Sequence, residues 1–249
     1  MDYTGADALG RRMPDLRPLA RDLSDTLGRL RFGPPVAVVY DPLTYAWAPH
    51  AAYLARFASA PGRVVLLGMN PGPFGMAQTG VPFGDVGMVR DWLGITGAVG
   101  QPAVTHPKRP VLGFGCTRSE GSGRRLWGWA RDRYGTPEAF FARYVVLNYC
   151  PLCFVDDGGR NVVPEALPRS EREPLLAACD AALKASLQAL DPRAVIGIGT
   201  FAEAALRRAD PGVPVGRILH PSPASPAANR GWAPQVEAEL AAMGIPGVP

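Results

Sequence analysis

Residues 63–70 read RVVLLGMN: four aliphatic side chains in a row, halted by a glycine and followed two residues later by an asparagine. An unbroken apolar run of this length, without polar alternation, is what a strand covered on both faces requires. Three more short β-branched or aliphatic runs read as strands, at 144–148 (YVVLN), 194–199 (AVIGIG) and 215–220 (VGRILH). Helical patterns are interleaved with them, at 87–93, 123–134, 173–190 and 201–208, the last following a Gly-Thr pair that suits a helix start. Strands alternating with helices predict parallel pairing through right-handed crossovers. The expected fold is therefore α/β, with a parallel four-stranded sheet flanked by helices. Residues 96–123, rich in glycine, proline and basic side chains, are expected to form a long surface excursion. A single domain over 1–249 is expected, with 1–34 as an N-terminal helical extension.

On this scaffold the polar residues fall in a telling place. Asn70 follows the first expected strand, Asn148 ends the second, and His220 ends the fourth. Open α/β sheets bind ligands at the carboxyl ends of their strands, so three polar groups from distant positions converge where a site belongs.

Composition narrows the class. Hydrophobic residues make up 47% and charged residues 19%, which suits a packed core and excludes a disordered chain. No run of about 18 apolar residues predicts a membrane span. The N-terminal stretch lacks a secretory apolar segment, so a cytoplasmic location is expected, nucleoid-associated if the source is bacterial. The formal charge is +4, and Lys108 and Lys184 are the only lysines, so nearly all the positive charge is arginine. Lys108, Arg109, Arg118, Arg124 and Arg125 cluster in and just after the excursion, as phosphate contacts or as a solvated surface. Thr200, at an expected helix start, is placed to offer backbone amides to a phosphate. Cys116, Cys150, Cys153 and Cys179 contain one lone CxxC; free thiols, with no metal, are expected rather than a zinc or iron–sulfur site. The Gly-Ile-Gly at 197–199 is too short for a dinucleotide fingerprint, so no cofactor is expected.

Three segments carry a resemblance: 68–95 (GMNPGPFGMAQTGVPFGDVGMVRDWLGI), 148–152 (NYCPL) and 220–232 (HPSPASPAANRGW). They resemble the single-strand-selective monofunctional uracil-DNA glycosylase family. Weaker similarity at 35–50 and 106–113 extends the likeness over 35–232. The resemblance implies the three-layer uracil-DNA glycosylase fold. It also implies hydrolysis of the N-glycosidic bond of uracil and related damaged bases, such as 5-hydroxymethyluracil, in DNA, leaving an abasic site for base excision repair. DNA is then the partner. By the same resemblance, His220 donates to uracil O2 as negative charge builds, and Asn70 positions the attacking water. Asn148 reads the base edge, Phe83 stacks on the flipped base, and Met69 and Gly72 complete the pocket. Ser222, Pro223, Ala224, Ser225 and Arg230 belong to a loop that enters the DNA; Lys108 and Arg109, from the basic cluster, and Thr200, from the helix start, are the further expected DNA contacts. Ala224 occupies the wedge position, which is an arginine in vertebrate members; alanine cannot fill a gap in the base stack, so weaker action on firmly paired uracil is expected.

These residue types suit the chemistry. A base must leave the stack to be reached, and its departure develops charge that preoriented donors stabilise. An amide cannot deprotonate water, but its carbonyl can orient one. Taken singly, each has a bland alternative: His220 as a satisfied strand-end histidine, Asn70 as an Asn-Pro turn, Phe83 as core. A strand-nicking enzyme needs an amine for a Schiff base, and neither lysine lies near the three convergent residues, so a water-using, monofunctional reaction is expected. Two rivals remain open: a nucleoside hydrolase acting on free nucleosides, and a non-catalytic DNA-damage-binding protein.

Overall fold

The computed structural model describes residues 13–245, so the first twelve positions of the expected N-terminal extension lie outside it. Seven strands are present among these residues: β1 (Val38–Tyr40), β2 (Val64–Gly68), β3 (Tyr144–Asn148), β4 (Cys153–Val155), β5 (Asn161–Val162), β6 (Ala194–Ile198) and β7 (Val215–Ile218). The four aliphatic runs pair as one parallel sheet in the order β3-β2-β6-β7. Both β2 and β6 are buried along their whole length, as two-sided coverage demands. β7 stops two residues short of His220. The Leu219 N–H donates to Glu239 Oε2 (2.8 Å) and the Leu219 carbonyl accepts from Trp232 Nε1 (2.7 Å), so side chains replace the ladder there.

The helices are α1 (Arg17–Leu27), α2 (Pro42–Tyr45), α3 (Trp47–Phe57), α4 (Met76–Thr79), α5 (Gly121–Tyr134), α6 (Pro137–Phe141), α7 (Arg169–Leu190), α8 (Thr200–Ala209), α9 (Pro226–Asn229) and α10 (Trp232–Ala242). α1 packs on α7, and α7 on α8; α5 joins α6 and α10 in a second group. No helix among the described residues is long and apolar enough to cross a membrane. The expected helix at 87–93 is a five-residue π-helical turn, Met88–Trp92. α7 begins four residues before the expected start, because Pro174 lies in its second turn, where the missing N–H removes one helix bond without ending the helix.

One feature departs from expectation. A second, antiparallel sheet of order β1-β4-β5 lies beside the first. The excursion at 96–123 lies largely at the surface, as expected, but it is anchored: Val111, Gly113 and Cys116 are buried. Gln78 from α4 pins it, donating to the Pro110 carbonyl (3.1 Å) and accepting from the N–H groups of Leu112 (2.7 Å) and Gly113 (3.1 Å). Tyr40 of β1 clasps the same segment, donating to the Arg109 carbonyl (2.6 Å) and accepting from the His106 N–H (2.8 Å). All four cysteines are free and buried.

Candidate active site

The strand order brings the sequence-expected residues to one edge. β2 and β3 are paired so that Gly68 stands opposite Asn148, and the loops after β2, β3 and β7 leave the sheet at the same end. Met69, Asn70, Gly72, Phe83, Asn148 and His220 line one cleft of about 360 Å3, together with Ser222 from the loop after His220.

Each polar group has a defined state. The Asn70 side-chain amide donates to the carbonyls of Leu152 (3.3 Å) and Pro71 (3.4 Å). Its Oδ1 is buried and has no partner among the described residues. Such an acceptor carries a desolvation cost that a hydrogen-bond donor arriving in the cleft relieves. Asn148 Nδ2 donates to Met76 Sδ at 3.4 Å, which orients its amide. A Cβ at Gly68 would stand 2.5 Å from Asn148 Oδ1 and 2.6 Å from Phe83 Cε2, so the floor of the cleft is closed by side chains meeting over bare backbone. A Cβ on Gly72 would meet nothing within 4 Å, so that residue leaves the mouth of the cleft open to close approach.

Phe83 adopts φ 52°, a left-handed conformation uncommon for an aromatic residue. Its carbonyl accepts from Trp127 Nε1 (3.0 Å) and the Asp85 N–H (2.8 Å) and lies against Gly123, where a Cβ would come within 1.9 Å. These contacts hold the ring in the cleft wall, with its centroid 6.3 Å from that of His220.

His220 Nδ1 accepts the Ser222 N–H at 3.1 Å. A backbone N–H only donates, so Nδ1 carries no proton and the neutral ring is protonated on Nε2. Burial also holds its pKa below the ordinary histidine value, favouring that neutral form. The other histidines are engaged elsewhere: His50 Nδ1 pairs with the Gly80 carbonyl (2.7 Å), and His106 bridges the Lys108 N–H and the Asp157 carbonyl.

Of the residues expected to meet DNA, only Ser222 lines the cleft. Pro223 and Ala224 form an exposed tip, with the Ala224 N–H donating to Ser222 Oγ (3.1 Å), and Ser225 caps α9 by accepting from the Ala228 N–H (3.3 Å). Arg230 is exposed, and Thr200 opens α8. Lys108 reaches the Gly158 carbonyl (3.5 Å), while Arg109 and Arg118 both stack on Phe74, at 5.1 and 4.4 Å from the ring centroid. Arg125 departs from the basic cluster: its guanidinium points inward onto the His220 loop, donating to the Pro221 carbonyl (3.2 Å).

Sequence reasoning missed Gly75, Met76, Glu120, Ser122, Asn161 and Val163, which also line the cleft. Glu120 caps α5, accepting from the Ser122 and Gly123 N–H groups; burial raises its pKa while these bonds oppose the rise. Its signal in the sequence is weak, because glutamate before Gly-Ser-Gly reads as flexible loop rather than as a helix cap.

Comparison with known proteins places this geometry. The family model of the uracil DNA glycosylase superfamily matches residues 55–240. The single-strand selective monofunctional uracil DNA glycosylase of Bos taurus is 49% identical over 251 residues, covering 96% of this chain and 92% of its own. That of Rattus norvegicus is 51% identical over 227 residues, covering 90% and 82% respectively. In fold, the crystal structure of wild-type SMUG2 from Pedobacter heparinus aligns with a TM-score of 0.63 at 16% identity, over 91% of this chain and 97% of that one. The chain belongs to the uracil DNA glycosylase superfamily, and within it to the single-strand selective monofunctional uracil-DNA glycosylases.

Proposed function

We propose that the protein removes uracil from DNA by hydrolysing the bond between N1 of the base and C1′ of the deoxyribose. The observation that carries this reading is the meeting, in one cleft, of an unpartnered buried amide oxygen and an imidazole whose Nδ1 is already occupied. The extruded base stacks on Phe83. Asn148 accepts from its N3–H and donates to its O4; cytosine reverses that polarity and leaves buried groups unpaired. As the C1′–N1 bond breaks, its electron pair leaves with the base, and the Nε2–H of His220 stabilises the charge on O2. Water held by Asn70 Oδ1 bonds to C1′ and gives up its proton to solvent, leaving an abasic site. Neither Lys108 nor Lys184 lines the cleft, which supports a route without a Schiff base and hence an uncut strand.

With Ala224 at the tip of the loop, the protein supplies little to fill a stack after base extrusion. Uracil release is therefore expected to be fastest from single strands, slower from U·G pairs and slowest from U·A pairs. Rates measured on the three oligonucleotides test this order, with strand integrity read before any alkali is added. Equal rates on all three overturn the wedge argument. Turnover of free uridine, or tight DNA binding without base release, overturns the glycosylase reading itself.

A further inference from the structure

The first two turns of α5 touch both halves of the cleft. Gly123 receives the Phe83 carbonyl, and a Cβ at Gly121 would stand 2.4 Å from Pro223 Cγ, so the helix start is seated against the loop that carries His220. Arg125, one turn after Gly121 on the same helix face, completes the contact. Its Nη1 donates to the carbonyls of Pro221 (3.2 Å) and Ser222 (3.3 Å), and its Nη2 donates to Asn229 Oδ1 (2.6 Å). Asn229 Nδ2 in turn donates to the Pro223 carbonyl (2.9 Å). Three successive loop carbonyls are thus held by one guanidinium and one amide.

The Pro221 carbonyl and the Ser222 N–H belong to the same planar peptide, and in a trans peptide they point in opposite directions. The guanidinium lies at the oxygen end and His220 Nδ1 at the hydrogen end. We propose that Arg125 is a positioning residue for His220: by fixing this peptide it keeps the Ser222 N–H on Nδ1 and so keeps the ring proton on Nε2. If the peptide turns, Nδ1 loses its donor and the other tautomer becomes accessible, presenting a lone pair instead of a proton to the developing anion. The inference rests on the reading of His220 as the group that stabilises the departing base.

The test uses the full chain carrying Arg125→Met, with Arg125→Lys as a second variant that retains charge but loses the fork. The expected result is a kcat for uracil release from single-stranded oligonucleotide about 10- to 100-fold lower in Arg125→Met, because a small misplacement of a reacting group costs about that much. KM should stay within about two-fold. Nitrogen-15 spectra of the His220 ring should show Nδ1 unprotonated in the wild type and partly protonated in the variant, with Arg125→Lys intermediate in both readouts. A raised KM with unchanged kcat and a shallower salt dependence would make Arg125 a phosphate contact and overturn the proposal. Unchanged kcat and tautomer in Arg125→Lys would overturn it too, should the Met variant not fold. His220→Ala is run alongside. If that variant keeps wild-type kcat, the reading of His220 fails; if it is crippled while both Arg125 variants are normal, only the present inference fails.

Discussion

His220→Ala is expected to lower kcat for uracil release by about 100- to 1,000-fold, the usual cost of removing one preoriented donor to a developing anion. KM should change little, because the interaction strengthens only as the bond breaks. The pH dependence follows from the ring's hydrogen bond. Protonation would put a hydrogen on Nδ1 against the Ser222 N–H, so the neutral ring is the working form. Because burial depresses the pKa, activity should persist through the ordinary histidine range and fall only at lower pH. Stability has the same sign. His50, also buried, is pushed down to about 4 from an ordinary value of 6.5. As pH falls below 6.5 the unfolded chain binds these protons first, so stability drops between about 6.5 and about 4, where the folded His50 also protonates. Thermal unfolding across that interval checks the second effect; a Tm that rises as the solution is acidified contradicts it.

Gly123→Ala is expected to reduce activity by a factor of about 100 and to destabilise the fold by about 1–3 kcal/mol. The added methyl would sit 1.9 Å from the Phe83 carbonyl oxygen, which is backbone and has little freedom to give way. That oxygen is also held by Trp127 Nε1, and Trp127 is fully buried among Phe140 and Phe141. Either α5 retreats, carrying Arg125 away from the His220 loop, or the Phe83 turn moves and its aromatic ring leaves the cleft. Gly128→Ala, on the same helix where a Cβ meets nothing within 4 Å, is the matched control and should be close to wild type. Equal, small effects of the two substitutions on uracil release would show that the Phe83–α5 contact does not matter.

The large parallel sheet was legible in the sequence because β2, β3 and β6 are apolar on both faces and so lack polar alternation; β7, at the sheet edge, is only partly buried, with Arg217 exposed. The small sheet was not: β1, β4 and β5, of three, three and two residues, carry too little periodicity, and their pairing partners are set by tertiary contact. α3 and α10 were hidden by Pro49 and Pro234, which lie in the first turn of each helix, where the absent N–H is an unpaired group in any case. For the cleft, Asn70, Asn148 and His220 could be placed because strand ends share an edge. Arg125 was grouped with exposed basic residues because sequence does not say which way a helical arginine points. The spacing of Gly121 and Arg125, four apart on one helix, was the available sign that this face lies against another segment.

The central claim is that one slot holds an extruded pyrimidine between two asparagines and a neutral histidine. A crystal structure of the protein soaked with free uracil tests it most directly. The account predicts the ring stacked on Phe83, its N3–H and O4 paired with the Asn148 amide, and its O2 within hydrogen-bond distance of His220 Nε2. Uracil bound elsewhere, or in this cleft with O2 turned away from His220, would contradict it.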